Sequence, residues 1–478
     1  MKLFRKKMIS LLLAAAGFAP AIQGMQPGDL LRRRDFVQDI VGQPERAFRA
    51  AFGWRDGFFT VRPQGGWGRW AGPGGGRRRT ISMIGDRGGL RTRPRIKTVH
   101  EWNGKIGARP QPLGRPRFVI KFHDPLDPEL TDIRYMQAER GSRPRERWAF
   151  QIASTFHALE GQSWKLANLL EDTVRKPVQG EEATIATAGA TIFRKYFWPY
   201  VRRGDARPQV SNRPFIHLLG DLTIPVPQQQ GRGARGRGIR RVPVVDYDPG
   251  TRMPHLNQNL LPHCTLANTS SDYVGVVIQE DIAVTSGLLR GDRAAYFDPG
   301  KPYAGYQRKF HYPYPRVTHI FCSAYDMKGA GPRPTPGHRA FAKVVLNGMY
   351  EGTIKAAYKR NIPNVVLTML GGGSFRNRID WIGHAIKHHV APFVQRYGMH
   401  VDLVFHPDKP RRGAVRNAND DYAFLMDMIS IADGINQTGN AQDGDVQRHV
   451  RGYLDAHYSG NGQAASVAAR WLTQHVRF

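Results

Sequence analysis

Two neighbouring carboxylates, Glu181 and Glu182, stand where a loop runs into a helix. Pro177 and Gly180 precede them, and Ala183, Ala186, Ala188 and Ala190 follow in a small-residue run over 183–196 that allows close packing. Adjacent carboxylates couple their titration, so one holds a proton while the other is charged. Such a pair suits general acid/base chemistry, in which one group gives a proton and another takes one. The competing reading is structural, because acidic side chains in a first helical turn are favoured by the helix dipole. Gln179 is placed either to fix Glu181 or to act as a plain amide at the helix start.

A second pattern lies far downstream. Gly371-Gly372-Gly373-Ser374-Phe375-Arg376-Asn377 follows an apolar run over 364–370 and precedes a helical stretch over 380–390. A glycine-rich turn between strand and helix presents backbone N–H groups and a helix N-terminus, which together favour a phosphate. A side chain would block the close approach; a simple tight turn is the alternative. His384, His388 and His389 share one helix, and an i, i+4 pair can hold a metal. No carboxylate or other histidine is placed to complete a shell, so they read as a solvated face, and neither a metal nor a cofactor is assigned. Asp420 and Asp421 read as caps of a helix over 422–431.

These candidates need a frame. Residues 117–123 form the first clear strand, and 148–156, 274–282 and 317–324 read as others. A long helix over 337–360, with Phe341, Val345, Met349 and Ala356 on one face, leads into the continuous apolar run 364–370. Strand, helix and strand in that order make a βαβ unit, so the sheet is at least partly parallel. Small residues at the end of the 317–324 strand leave room for a ligand at the strand carboxyl ends. The tail over 446–478 holds two amphipathic helical patterns, with Val467, Trp471 and Val476 among their apolar positions.

With 478 residues and 41% hydrophobic content, the chain can bury a large core in one large or two moderate domains. Its formal charge of +31 favours nucleic acid, anionic lipid or phosphate-bearing ligands without choosing among them. Lys2, Arg5, Lys6 and Lys7, an apolar core over 8–18 and small residues at Ala19, Ala21 and Gly24 predict a cleavable signal peptide over 1–24. Export to a periplasm or the medium follows, with no integral membrane domain after cleavage. Residues 25–114 form a basic Arg/Gly/Pro-rich arm with a single amphipathic helix over 35–52, and Trp54, Trp67 and Trp70 in it either stack on bases or pack on their own protein. Gln228-Gln229-Gln230 and the Arg/Gly tract after it mark a low-complexity loop within 226–243. Cys264 and Cys322 could form one disulfide, although Cys322 lies in a strand-like apolar run where a free thiol is ordinary.

Taken together, the motifs resemble one family. Gly371, Gly373, Phe375 and Asn377 match, in register, the Gly-x-Gly-x-Phe-x-Asn pattern that follows an apolar strand in macrodomains of the poly(ADP-ribose) glycohydrolase-like branch, and Gln179, Glu181 and Glu182 resemble its Gln-Glu-Glu signature. Gly180 interrupts that signature. The segment containing Phe156, His157 and Ala158 stands where the family's diphosphate loop is expected. The resemblance covers roughly 115–425 and implies a three-layer α/β/α fold with a mixed, partly parallel sheet, followed by a helical tail over 426–478. It implies Glu182 as general acid/base and Glu181 on the ribose hydroxyls. Gly371, Gly372, Gly373, Ser374 and Phe375 would hold the diphosphate and distal ribose, with Gln179, His157 and Asn377 completing the ligand contacts. ADP-ribose or an ADP-ribosylated protein would be the partner, as substrate of a hydrolase or ligand of a non-catalytic module. Polyanion or nucleic-acid contact through the basic arm is the third reading.

Overall fold

Short apolar segments, most of them β-branched or aromatic, build one mixed sheet of seven strands: β1 (Arg95–Thr98), β2 (Arg117–Phe122), β3 (Trp148–Ala153), β4 (Gly275–Ala283), β5 (Arg316–Cys322), β6 (Asn364–Leu367) and β7 (His400–Phe405). Their spatial order is β1-β4-β5-β3-β6-β7-β2. Strands β5, β3, β6, β7 and β2 run parallel, while β4 pairs antiparallel with both β1 and β5. The structure, a computed structural model, describes residues 60–62, 80–82, 95–104, 106, 111–127, 131–143, 145–158, 187, 217–227, 239–247, 254–283, 316–331, 333–407, 417–439 and 443–476. The expected signal peptide, the 35–52 helix, Trp54, Trp67 and Trp70 lie outside them.

Helices cover both faces, giving the expected three layers. In order they are α1 (Val99–Asn103), α2 (Ile133–Gly141), α3 (Pro336–Tyr358), α4 (Ile379–Ala385), α5 (Ala391–Tyr397), α6 (Ala418–Asn436), α7 (Gly444–Tyr458) and α8 (Gly462–His475). Register puts Gln151, Val365, Leu403 and Phe405 on one face. There Gln151 Nε2 donates to Thr353 Oγ1 of α3 (3.1 Å), and Phe405 stacks on Phe424 of α6. The opposite face carries Trp148 and Asp402, which meet Arg140 of α2: the guanidinium lies 4.4 Å from the Trp148 ring and bonds Asp402 Oδ2 at 2.8 Å.

Helix α3 starts cleanly, because Thr335 accepts the His338 N–H and Pro336, lacking a donor, occupies the first turn. It is buried along most of its length, as a helix that is apolar nearly all round must be. Gly348 brings it against the start of β4: a Cβ there would strike Val274 Cβ and lie 2.8 Å from Ser271 O.

Several elements depart from the sequence reading. The strand expected over 364–370 stops at Leu367, for a reason given below. The helix expected over 380–390 passes through a π turn, Ile386–Val390, into α5. Pro392 accounts for this: it has no N–H for the His388 carbonyl and its ring crowds that carbonyl, and the Ala391 N–H instead reaches back five residues to Ile386 O. The cap of α6 is Asn417, whose side chain accepts the Asn419 and Asp420 N–H groups, while Asp421 is buried and accepts the Tyr458 hydroxyl at 2.9 Å. Both cysteines are free and buried. Strand β1, within the stretch read as basic arm, is an edge of the sheet. The two ends of the low-complexity loop pair antiparallel, Thr223–Pro227 with Ile239–Pro243.

The tail is helical, as expected, and α7 docks on β2 through Tyr453, whose hydroxyl donates to His123 O at 2.9 Å. Edge strand β2 has a further neighbour. The Asn436 amide accepts the Phe118 N–H (3.0 Å) and donates to the Phe118 carbonyl (2.7 Å). Among the described residues no helix is long and apolar enough to cross a membrane.

Candidate functional site

Because five strands run parallel, their carboxyl ends share one edge of the sheet. Strand β3 lies between β5 and β6, so the segments leaving β5 and β6 must pass over its end to meet. They do meet: Asn377 Nδ2 donates to Tyr325 O (2.9 Å), and the Met327 N–H donates to Phe375 O (2.9 Å). A crevice outside strand carboxyl ends is where open α/β sheets bind ligands.

The loop Gly371–Asn377 is built for close approach of its own backbone. Gly371 has φ +74°, and a Cβ on it would strike Ala324 Cβ and stand 2.7 Å from Asn377 Nδ2; only glycine fits. Three N–H groups are engaged within the segment: Gly372 to Met369 O (3.0 Å), Arg376 to Gly373 O (3.1 Å) and Asn377 to Gly371 O (3.0 Å). The N–H groups of Gly373, Ser374 and Phe375 donate to no described residue. Gly373 and Ser374 are exposed, Phe375 is half-buried, and a Cβ on Gly373 would meet nothing within 4 Å. Successive unengaged N–H groups in a tight turn can cradle an anion. Arg376 adds an exposed cation beside them, whereas Arg378 is held by both oxygens of Asp380.

A buried polar network lies under the loop. Gln151 Oε1 accepts the Thr368 N–H (3.2 Å). The Tyr350 hydroxyl donates to Thr368 O (2.6 Å) and accepts the Leu370 N–H (3.0 Å), which ends the strand early and turns the chain into the loop. Thr353 joins this layer to Cys322, with oxygen and sulfur 3.1 Å apart, and burial pushes the Cys322 thiol up to about 12. Cys322 is therefore a packed thiol, and not a nucleophile. Sequence reading missed Tyr350 and Gln151. A glutamine inside the apolar run 148–152 was the available signal, since a buried polar side chain needs partners.

The expected site residues fall into two groups. Gly371, Gly372, Gly373, Ser374, Phe375 and Asn377 form one loop, with His157 on the segment leaving β3, half-buried, its Nδ1 3.1 Å from Thr155 Oγ1. Asn377 is buried, and its amide nitrogen joins Tyr325 O and Gly371 O, so it holds the loop from within. Phe375 packs partly against the core. Gln179, Glu181 and Glu182 lie outside the described residues. His217, stacked on Phe156, is pushed down to about 3 by burial, and its Nδ1 accepts the Leu219 N–H, as a neutral ring requires.

Two open pockets, of about 470 and 420 Å³, lie away from this loop and share His389 as a wall. His389 Nδ1 is 2.9 Å from Glu351 Oε2, and His384 lies beside His388 with ring centroids 4.3 Å apart. Among the described residues no cluster of three or more His, Cys, Asp or Glu side chains could hold a metal.

No family model matches the chain, and no curated protein matches it. Among solved structures, it is similar to poly(ADP-ribose) glycohydrolase from Thermomonospora curvata, at 12% identity over 83% of this chain and 98% of that one, with a TM-score of 0.39. The same enzyme bound to the inhibitor ADP-HPD matches at 12% identity over 80% of this chain and 95% of that one, TM-score 0.37. Poly(ADP-ribose) glycohydrolase from Deinococcus radiodurans in complex with ADP-ribose matches at 13% identity over 68% of this chain and 94% of that one, TM-score 0.33.

Proposed function

We propose that this chain binds ADP-ribose at the Gly371–Asn377 loop and hydrolyses the O-glycosidic bond of ADP-ribosylated substrates. The observation that carries the binding is the run of three backbone N–H groups, at Gly373, Ser374 and Phe375, that donate to no described residue, on a loop at the carboxyl ends of the parallel strands of a mixed sheet. They suit the diphosphate. Phe375 would pack beside the distal ribose, and His157 would approach from the end of β3.

For the chemistry, Glu182 would donate its proton to the leaving oxygen as the ribose C–O bond breaks, giving an oxocarbenium-like state. As water adds to the anomeric carbon, the Glu182 carboxylate would take the water's proton and so return to its starting form. Glu181 would hold the ribose hydroxyls, with Gln179 fixing it. The signal-like residues 1–24 support an exported protein, and the formal charge of +31 supports attraction of anionic, phosphate-rich partners.

Calorimetry with ADP-ribose, together with release of ADP-ribose from a modified peptide, tests this reading. Glu182→Gln should abolish release and leave binding nearly unchanged. Gly373→Ala meets no neighbour, so it should keep wild-type stability while lowering ADP-ribose affinity about tenfold, roughly one hydrogen bond to a charged group. Absence of binding by the wild type would refute the proposal. Gly180, inserted between Gln179 and Glu181, favours one second reading, a module that binds without turnover; binding with no release by the wild type would establish it.

A further inference from the structure

We infer that Tyr350 is a positioning residue for the ligand loop, its hydroxyl setting the conformation in which the Gly373, Ser374 and Phe375 N–H groups donate to no described residue. The inference rests on the ADP-ribose reading only for its effect on affinity; the clamp itself is a property of the free protein.

The geometry is specific to the hydroxyl. Between Thr368 and Leu370 the chain makes a three-residue turn, with the Leu370 N–H 2.9 Å from Thr368 O. The Tyr350 oxygen donates to that same carbonyl and accepts from that same N–H. A phenol has one proton to give and lone pairs to receive, so one atom closes both ends of the turn. Burial holds the Tyr350 phenol well above its ordinary range, which keeps the proton on the oxygen near neutral pH.

The Thr368 peptide is gripped from its other side by Gln151, which in turn is held by Thr353 of α3. Tyr350 is fully buried within the same helix, so α3 fixes the loop entrance through two side chains one turn apart. The far end is fixed independently by Asn377. The N–H groups of Gly373, Ser374 and Phe375 lie between these two anchors. Phenylalanine at 350 would keep the ring and its packing, but leave the buried Leu370 N–H with only its turn partner, Thr368 O.

Tyr350→Phe, made in the full chain, separates positioning from packing. Without ligand, amide hydrogen exchange at Leu370 and Gly372 should accelerate at least tenfold, while Val365, Val366 and Leu367 in β6 keep wild-type protection. With ADP-ribose as probe, affinity should fall at least tenfold. Asp402→Asn, on the opposite face of the sheet, provides a destabilised control that should retain wild-type loop exchange and affinity. Unchanged exchange at Leu370 and Gly372 in Tyr350→Phe would overturn the inference, as would an equal rise across β6. If the wild type binds no ADP-ribose, the functional reading fails, and the exchange pattern still decides whether the clamp exists.

Discussion

Asp402 illustrates how one residue on the face away from α3 sets acid tolerance. Burial alone would raise its pKa, but the His400 hydrogen bond and the charges of Lys121 and Arg140 outweigh it and bring the carboxyl below its ordinary value. A carboxylate with a depressed folded pKa stabilises the fold above its unfolded value of about 3.9, and loses that contribution as pH falls towards the folded value. Asp402→Asn should therefore cost about 3 kcal/mol at pH 7, because it leaves the nearly buried Arg140 with only the exposed Glu139 carboxylate, 3.8 Å away. Urea titrations should show the gap between variant and wild type narrowing as pH is lowered from 5 to 3.5. A constant gap would mean that the ion pair is not the source of the loss.

At the scale of elements, α3 decides how closely the layers pack. Alanine normally improves a helix interior by about 1 kcal/mol over glycine, yet at Gly348 its methyl would be driven into Val274 and the Ser271 carbonyl. Gly348→Ala should thus lower unfolding free energy by about 1–3 kcal/mol, the range for overpacking, measured by the urea midpoint; a rise would show that the contact can relax. Much at this scale was legible in sequence. The apolar runs at 117–123, 317–324 and 364–370 read directly as strands, each running past the observed end, and the glycines read as a loop at a strand end. Strand β7 was not read, because His400 and Asp402 break its apolar run; in the structure those two side chains bond each other at 2.9 Å on the face toward α2. The π turn was hidden for another reason: Pro392 promises a break, and only the packed helix shows that one shifted hydrogen bond absorbs it. The loop's own residues were identifiable from the motif, but Tyr350 was not, since an apolar helix face gives no hint of which aromatic carries a hydroxyl partner.

For the whole molecule, the end of the sheet at β2 has a consequence for solubility. An open edge strand offers unpaired N–H and C=O groups to any other chain. Here the Asn436 amide imitates a neighbouring strand at Phe118, and α7 closes over the strand's end through Tyr453. The charge of +31 keeps copies apart at low salt, but that repulsion weakens as ions shorten its reach to about 8 Å at physiological ionic strength. Asn436→Ala should consequently remain monodisperse at low salt and self-associate as salt is added, seen as a rise in light scattering that the wild type lacks; scattering that is equal in both would remove Asn436 from this role. A single amide at the rim of the sheet would then guard the fold against edge-to-edge growth where electrostatic repulsion no longer reaches.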